Sequence, residues 1–598
     1  MYLKQSRFKD GRVHLAIKEK YRADGKVKEK TILNIGYLSE VDPSIKNPIA
    51  YYKDMAKKMT IEKKEANATE TLTIDMNEKC SMNDDDIYDI GYMFPMAEYY
   101  RLGIHDTIRK LNRKRGNDFS VEAIARLLVT ARITDPASKL KTFDHSDRMF
   151  ERTNFEIHHV YRALSHLSED TEKIQKSIHE AVTHIYGRDT SLGYYDCTNY
   201  YFEIHHPDDT GVFIDPVTGE PHGYLRDRGP SKEFRKTPIV QMGLLMDRDG
   251  IPMAYDLFRG NESEKKSLIP VTKRLRRDYK TDRVIFVADR GLNTGDNIFY
   301  NLGENDGYIF SKSVRGASTE IKKFVLEDEG YVKTMKDISA DDTTESVCTF
   351  KIKSRIHPEE LTYHDSQGRS RKCRHDQKQV VFWSREFAKR AACERDRVVE
   401  KAEKLIKNRG SYSCITSKGA AGYIKNLRYD HKTGEIMNPA EETLVMDEEK
   451  IKREAQFDGY YMIVTSELKM EDSEIIEKYR GLWRIEESFK ITKSELEGRP
   501  VYVQTPTHIE GHFLVCFIAL LITRLMQKRT SEGYSAQKII DSIRKFKCGY
   551  IKENLYKTMY YDDTIEELNR VYQLKNVGKR WLTKKNIKEM SASAKRKS

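Results

Sequence analysis

At 598 residues the chain is too long for one core, and three or more domains are expected. With 38% hydrophobic and 33% charged residues and no run of roughly 18 apolar ones, it reads as soluble and globular without a membrane span, and its eight scattered Cys with no CxxC pair exclude a zinc ribbon or a disulfide framework. A net charge of +12, carried by 105 Lys+Arg beside 35 Tyr, suits a polyanionic partner as well as it suits a merely basic protein.

The N-terminus MYLKQSRFKDGR has no apolar signal core, which predicts a cytoplasmic protein. Val13 to Leu38 alternates around Ala23-Asp24-Gly25-Lys26 and predicts a hairpin with a basic outer face, fit for positioning DNA or for packing on a neighbour. Tyr51 to Glu65 reads as a short basic helix, and Asn67 to Asp86 as a strand plus a loop. Asp89 to Tyr186 is predominantly helical; Arg126, Arg132, Lys139 and Lys141 between apolar positions could build a helix-turn-helix, although a plain helical bundle is the commoner outcome.

From Thr190 the pattern turns to strands: SLGYYDC, PIVQMGLLMD and IPMAYDLF, a helix, DRVIFVADRG, a second helix and YIFSKSV. That order predicts an antiparallel meander followed by crossover units, a mixed α/β sheet. Asp196 ends the first strand and Asp289 the strand after the first helix. Each alone reads best as a turn or cap residue. If their strands are neighbours, the two carboxylates meet at the end of the sheet where α/β sites lie, and Mg²⁺ or Mn²⁺ would relieve their repulsion. Between these strands PHGYLRDRGPSKEFRKTP is a basic loop, equally suited to DNA contact and to ordinary surface.

The stretch from Asp289 to Glu486 is too long for a simple connection, and Phe324 to Gln456 breaks the α/β rhythm, so an inserted domain is expected there. GYYMIVTS is a strand returning to Glu471 to Glu497, which reads as one amphipathic helix. Tyr479, Glu486 and Lys493 recur every seven residues and stack along one face; alone, that stripe is more often a solvated surface. His508 and His512 stand at metal-ligand spacing without the Glu of HExxH, and capping or packing is the expected role. The C-terminal KRWLTKKNIKEMSASAKRKS is a basic tail expected to fray.

The order Asp196, Asp289, Glu486 across an α/β run with a large insertion before the Glu resembles the DDE transposases of bacterial insertion sequences. YRGLWRIEESFKITK resembles, within them, the YREK-signature group (Y-x2-R-x3-E-x6-K), with Tyr479, Glu486 and Lys493 in place and Leu482 where the Arg belongs. Arg480 or Arg484 would have to stand in, although Arg484 points about 200° away from Glu486 on an ideal helix. DRG around Asp289 and GNESE (Gly260 to Glu264) also match the group, and the resemblance covers about Ser191 to Ile522.

The resemblance implies an RNase H-like catalytic domain interrupted by a largely β insertion. It implies two divalent ions, Mg²⁺ or Mn²⁺, held by Asp196, Asp289 and Glu486. Tyr479 and Lys493, with Arg480 and Arg484, are implied DNA contacts, and Tyr461 would stack a flipped base. The expected domains are 1–66 (hairpin and basic helix), 67–189 (mainly helical DNA-binding region), 190–323 and 457–525 (the two parts of the core), 324–456 (insertion) and 526–598 (C-terminal helical region and basic tail). The expected function is cleavage of double-stranded DNA at the terminal inverted repeats of an element, often through a hairpin, and joining to target DNA. The chain would act as a homodimer, cytoplasmic and nucleoid-associated, with no membrane partner. The rivals are a nuclease or resolvase that cuts without joining, and a non-catalytic DNA-binding descendant of a transposase.

Overall fold

The computed structural model describes all residues except 24–25, 46, 67–76, 78, 80–85, 152–153, 205, 209–210, 230–236, 341–342, 409–417, 426, 428–443, 532 and 597–598. The chain divides into two units, Met1–Asp84 and Asp85–Ser598. In the first, β1 (Tyr2–Arg7), β2 (Val13–Ala23) and β3 (Lys26–Tyr37) form an antiparallel sheet in sequence order, joined by α1 (Pro48–Ala66). Leu15, Ile17 and Ala56 are its buried centre. The tip of the expected hairpin and most of the strand and loop expected over 67–86 lie outside the described residues.

In the second unit β4 (Ile87–Asp89) leads into α2 (Met93–Arg101), α3 (Ile104–Asn112), α4 (Val121–Thr134), α5 (Lys139–Asp144), α6 (Ile157–Glu169) and α7 (Thr171–Tyr186). Next come β5 (Leu192–Tyr201), a small hairpin of β6 (Val212–Ile214) and β7 (Pro221–Gly223), then β8 (Ile239–Met246), β9 (Pro252–Arg259), α8 (Leu268–Arg274), β10 (Ile285–Ala288), α9 (Gly295–Gly303), β11 (Gly307–Lys312) and α10 (Thr319–Leu326). The region expected as an insertion holds β12 (Val332–Ala340), β13 (Thr343–His364), β14 (Ser370–Ser384), α11 (Arg385–Lys407), α12 (Lys418–Ala421), β15 (Ile424–Lys425), β16 (Val445–Met446) and α13 (Glu448–Ala455). β17 (Tyr460–Thr465), α14 (Asp472–Arg480), α15 (Trp483–Lys490) and α16 (Pro506–Arg529) follow. The chain ends in α17 (Ala536–Lys545), β18 (Lys547–Lys552), β19 (Leu555–Thr558), α18 (Asp563–Tyr572), β20 (Trp581–Thr583) and α19 (Lys584–Ala594).

Nine strands make one sheet in the order β12-β13-β14-β17-β11-β10-β5-β8-β9. β5, β8 and β9 are the antiparallel meander, and β10 and β11 run parallel to β5 after crossovers through α8 and α9. β8 is buried at every position, which is why IVQMGLLM is a continuous apolar run. Successive side chains feed opposite faces. Leu192, Tyr194, Tyr200 and Val287 join the core shared with α14, α15 and α16, whereas Tyr195, Cys197, Phe286 and Ala288 join the core under α8, α9 and α10. β14 pairs with β17, so the strands of the expected insertion continue this same sheet.

α16 is capped by the Thr505 hydroxyl, carries Pro506 in its first turn and is buried along Phe513–Met526. It is long and apolar enough to span a membrane, but 94% of that stretch is inside the fold, so it serves as a core helix. Gly511 lets it cross α6 closely: a Cβ there would lie 2.6 Å from the Leu164 carbonyl oxygen.

Two expectations change. The single helix over 471–497 breaks at Gly481–Leu482 and ends in a π turn, Ile491–Glu495. The break falls at a close long-range contact: any Cβ at position 481 would collide with the Tyr194 hydroxyl of β5. The C-terminal segment is packed rather than frayed over its described residues, up to 596. Leu582, Ile587, Met590 and Ala594 are fully buried, Thr583 and Asn586 form a capping box, and β20 completes a four-stranded sheet ordered β20-β19-β18-β4.

Candidate active site

The parallel pairs Ile285–Leu192, Phe286–Gly193 and Val287–Tyr194 fix the register of β10 on β5. Asp289 follows β10 directly, two residues past the last paired residue Val287, whose partner Tyr194 is two residues before Asp196. Both lie at positions that alternate in phase with Tyr194 and Val287, so both belong to the face covered by α14 and α15. Asp196 Oδ1 accepts the Cys197 N–H at 2.7 Å. Asp289 is exposed and anchored on one side: the Arg290 N–H (2.6 Å) and the Ser311 hydroxyl (2.8 Å) both donate to Oδ1. Oδ2 accepts no hydrogen bond among the described residues. Ser311 also lies near the Tyr479 phenol, so the helix end and this aspartate share a neighbour. Burial first, then Tyr461 and Asp289 nearby, pushes the Tyr479 phenol well above its ordinary pKa, so it stays protonated.

Two contacts set α15 along β5. Arg484 stands 5.9 Å from the Tyr194 ring centroid, and Lys493 Nζ donates to Thr198 Oγ1 at 2.6 Å. Nine helical residues advance about 13 Å, the same as four strand residues, so helix and strand run alongside each other. Asp196 lies between the two strand contacts and Glu486 between the two helix contacts. Glu487 is turned the other way, onto α16, where Arg524 Nη1 donates to it at 2.8 Å. Arg524 also donates to Ser488 Oγ through Nε (3.0 Å) and Nη2 (2.8 Å), and to the Arg484 carbonyl through Nη2 (3.0 Å). Glu486 is exposed and makes no hydrogen bond or ion pair among the described residues. Among those residues no three His, Cys, Asp or Glu side chains gather into a group that could hold a metal ion, so the carboxylates are arrayed without closing into a cage.

Tyr461 of β17 stacks on Phe382 (5.6 Å, 24°), and its hydroxyl is 3.4 Å from that of Tyr479. It lines, with Asp289, Arg290, Lys312, Arg315 and Arg390, a cavity of about 510 Å³. Arg480 is exposed, with no ion pair among the described residues. Arg484 leans on Tyr194 and on the turn at Gly250, where a Cβ would come within 2.7 Å of its Cδ; it is not brought to the aspartates. Leu482 is buried in the core. Ser311, Thr198 and Arg524 carry no motif in the sequence, and each becomes visible only once strand and helix neighbours are known.

The His pair is not a ligand pair. His512 is buried with Nδ1 3.1 Å from Lys139 Nζ and Nε2 3.3 Å from the Gly498 carbonyl oxygen, and His508 packs on the Tyr161 ring. Part of the basic loop expected between Asp196 and β8, residues 230–236, lies outside the described residues.

Residues 215–522, more than half of the chain, match the family described as a transposase DDE domain; the match begins past Asp196 and includes Asp289 and Glu486. Residues 3–70 match the N-terminal domain of IS1634 family transposases. No curated protein matches. Among solved structures the chain is similar to a Mos1 transposase paired-end complex with left transposon end, at 14% identity and a TM-score of 0.13, covering 42% of this chain and 66% of that one. A Mos1 mariner paired-end complex with Mn is similar at 13% identity and a TM-score of 0.12, covering 43% and 66%. The chain thus spans just under two thirds of the length of those structures.

Proposed function

The chain belongs to the DDE transposases of insertion sequences, and on that premise we propose that it cuts double-stranded DNA at the ends of its element and joins the freed 3′ ends to target DNA. The observation that supports this reading is the parallel pairing of β10 on β5, which brings the strand that ends just before Asp289 beside the strand that carries Asp196, on the sheet whose core is shared with α14 and α15. A sheet order of β11-β10-β5-β8-β9, meander first and crossovers second, supports an RNase H-like core.

The donor set fits hard divalent cations, since it offers carboxylate oxygens and no Cys or His. Asp196, Asp289 and Glu486 would hold two such ions, Mg²⁺ or Mn²⁺; when bound they activate the attacking water or 3′-hydroxyl and stabilise the leaving oxygen of an in-line phosphoryl transfer. Asp289 is prepared for this by its one-sided anchoring, which aligns Oδ1 and leaves Oδ2 open. Glu486, without a partner among the described residues and on a helix interrupted at both ends, closes onto the aspartates when the DNA is seated. Protonated Tyr479 donates to a backbone phosphate, and Lys493 exchanges its Thr198 partner for another. Arg480 adds a diffuse contact. Tyr461, rigid against Phe382, supplies a π face for an extruded base. We assign the chain on this basis to the YREK-signature group, with Leu482 as the departure, and infer a homodimer bridging two element ends.

The test is a joining assay with a precut element end, plasmid DNA and Mg²⁺. Joined product is expected; cleavage of uncut ends without any joining would instead favour a nuclease or resolvase. DNA binding with neither activity would favour a non-catalytic descendant.

A further inference from the structure

The C-terminal sheet has one face packed on the protein and one open. Leu582, Tyr556 and Cys548 point inward and are buried. On the other side the register sets Trp581, Lys557, Gly549 and Ile87 directly across the four strands from one another. Trp581 is 50% exposed, and Lys557 Nζ sits 6.0 Å from its ring centroid. Gly549 keeps the row low, and Met559, 55% exposed, lies beside it.

Around Trp581 the sequence KRWLTKKNIK supplies five cations and no acid. Lys579, Arg580, Lys584 and Lys588 are exposed and form no ion pair among the described residues, and Lys585 reaches Glu589 only at 4.0 Å. Lys579 and Arg580 directly precede β20, and Lys584, Lys585 and Lys588 lie in the first turns of a packed helix rather than on a frayed tail. Positive charge concentrated this way repels itself unless a polyanion neutralises it. A second copy of this chain would need a matching acidic face, whereas a phosphate backbone brings regular negative charge and sugars against which an indole can lie.

We propose that the outer face of the β20-β19-β18-β4 sheet around Trp581 on its edge strand, with the cations that flank β20, is a second contact surface for duplex DNA, binding the sugar–phosphate backbone without reading sequence. This rests on the transposase reading. It adds a site remote in sequence from the carboxylates, contacting DNA beyond the segment being cut.

The test measures duplex affinity by fluorescence anisotropy between about 50 and about 200 mM salt, for the full-length protein and for a variant carrying Lys579→Ala, Arg580→Ala, Lys584→Ala and Lys588→Ala. The expected result is a log Kd–log salt slope shallower by about 3.6, from about 0.9 for each of the four lost phosphate contacts. The loss should be equal on unrelated sequences, with an unchanged thermal unfolding midpoint. Trp581→Ala should weaken binding about tenfold at every salt concentration. Wild-type binding with an unchanged slope in the variant would overturn this proposal alone, as would an unchanged slope with dissociation of an assembly in sedimentation, which would give the face to a second copy. A wild-type protein that binds no duplex would overturn the transposase reading as well.

Discussion

The two aspartates and the glutamate are held by different physics. Asp196 sits on β5 and Asp289 directly follows the neighbouring parallel strand β10, so backbone pairing of the two strands governs where both stand. Glu486 rides a short helix between a glycine break and a π turn, and its orientation depends on side chains of other elements. Arg524 grips α15 from α16 through Glu487, Ser488 and the Arg484 carbonyl. Arg132 donates to the Leu496 and Glu497 carbonyls, and His512, buttressed by Lys139, holds the Gly498 carbonyl. A site built this way has a rigid half and an adjustable half, which suits a centre that completes itself on DNA.

The largest effect should come from the rigid half. Asp196→Asn or Asp289→Asn should lower cleavage on the order of a thousandfold or more while leaving duplex affinity intact; quantitative cleavage and anisotropy on the same preparations check this. Cleavage near the wild-type rate in either variant would remove the pair from the chemistry.

The adjustable half should fail differently. Arg524→Met strands Glu487 and frees the helix to rotate, which should cost about 2–4 kcal/mol of stability and about a hundredfold in rate. Arg524→Lys should recover most of the stability and little of the rate, since one ammonium cannot replace a fork of donors. Chemical denaturation and single-turnover cleavage separate the two quantities, and a Lys variant restoring both equally would reduce Arg524 to packing.

A smaller effect tests the lower support of the helix by pH. Burial, aided by Arg132, lowers Lys139 from its ordinary value of 10.5 to about 7. Between those values the unfolded chain binds the proton and the folded chain does not, so this lysine makes stability rise with pH across the window, by at most about 1.4 kcal/mol per pH unit. Lys139→Met should remove that rise. A difference between wild type and variant that stays constant from about pH 7 to about pH 10 would contradict it.

The smallest effect belongs to Lys493→Ala, a single phosphate contact: the salt slope should become shallower by about 1, with modest loss of affinity. An unchanged slope would leave Lys493 as a strut between α15 and Thr198.

What the sequence made legible follows the same division. Asp289 could be read because a carboxylate closing an apolar run marks a strand end, and the order of runs implied a meander then crossovers; Asp196, expected at a strand end as well, stands inside β5, which continues through Tyr201 because its pairing with β8 does. The helix break could not be read, because Gly481 is tolerable in an amphipathic pattern until Tyr194 is known to press on it. Ser311, Thr198 and Arg524 are ordinary residues made functional by neighbours far away in sequence. The C-terminal basic segment was misjudged for a related reason: Leu582, Ile587, Met590 and Ala594 are too sparse to mark a core until β19 and α2 are there to receive them.

The central claim is that Glu486, not Glu487, completes the aspartate pair. The direct measurement is joining of a precut element end to plasmid DNA with Mg²⁺ by Glu486→Gln and Glu487→Gln, each first shown to bind the end. Loss of joined product with Glu486→Gln and substantial joining with Glu487→Gln is the predicted result; wild-type joining by Glu486→Gln would contradict it.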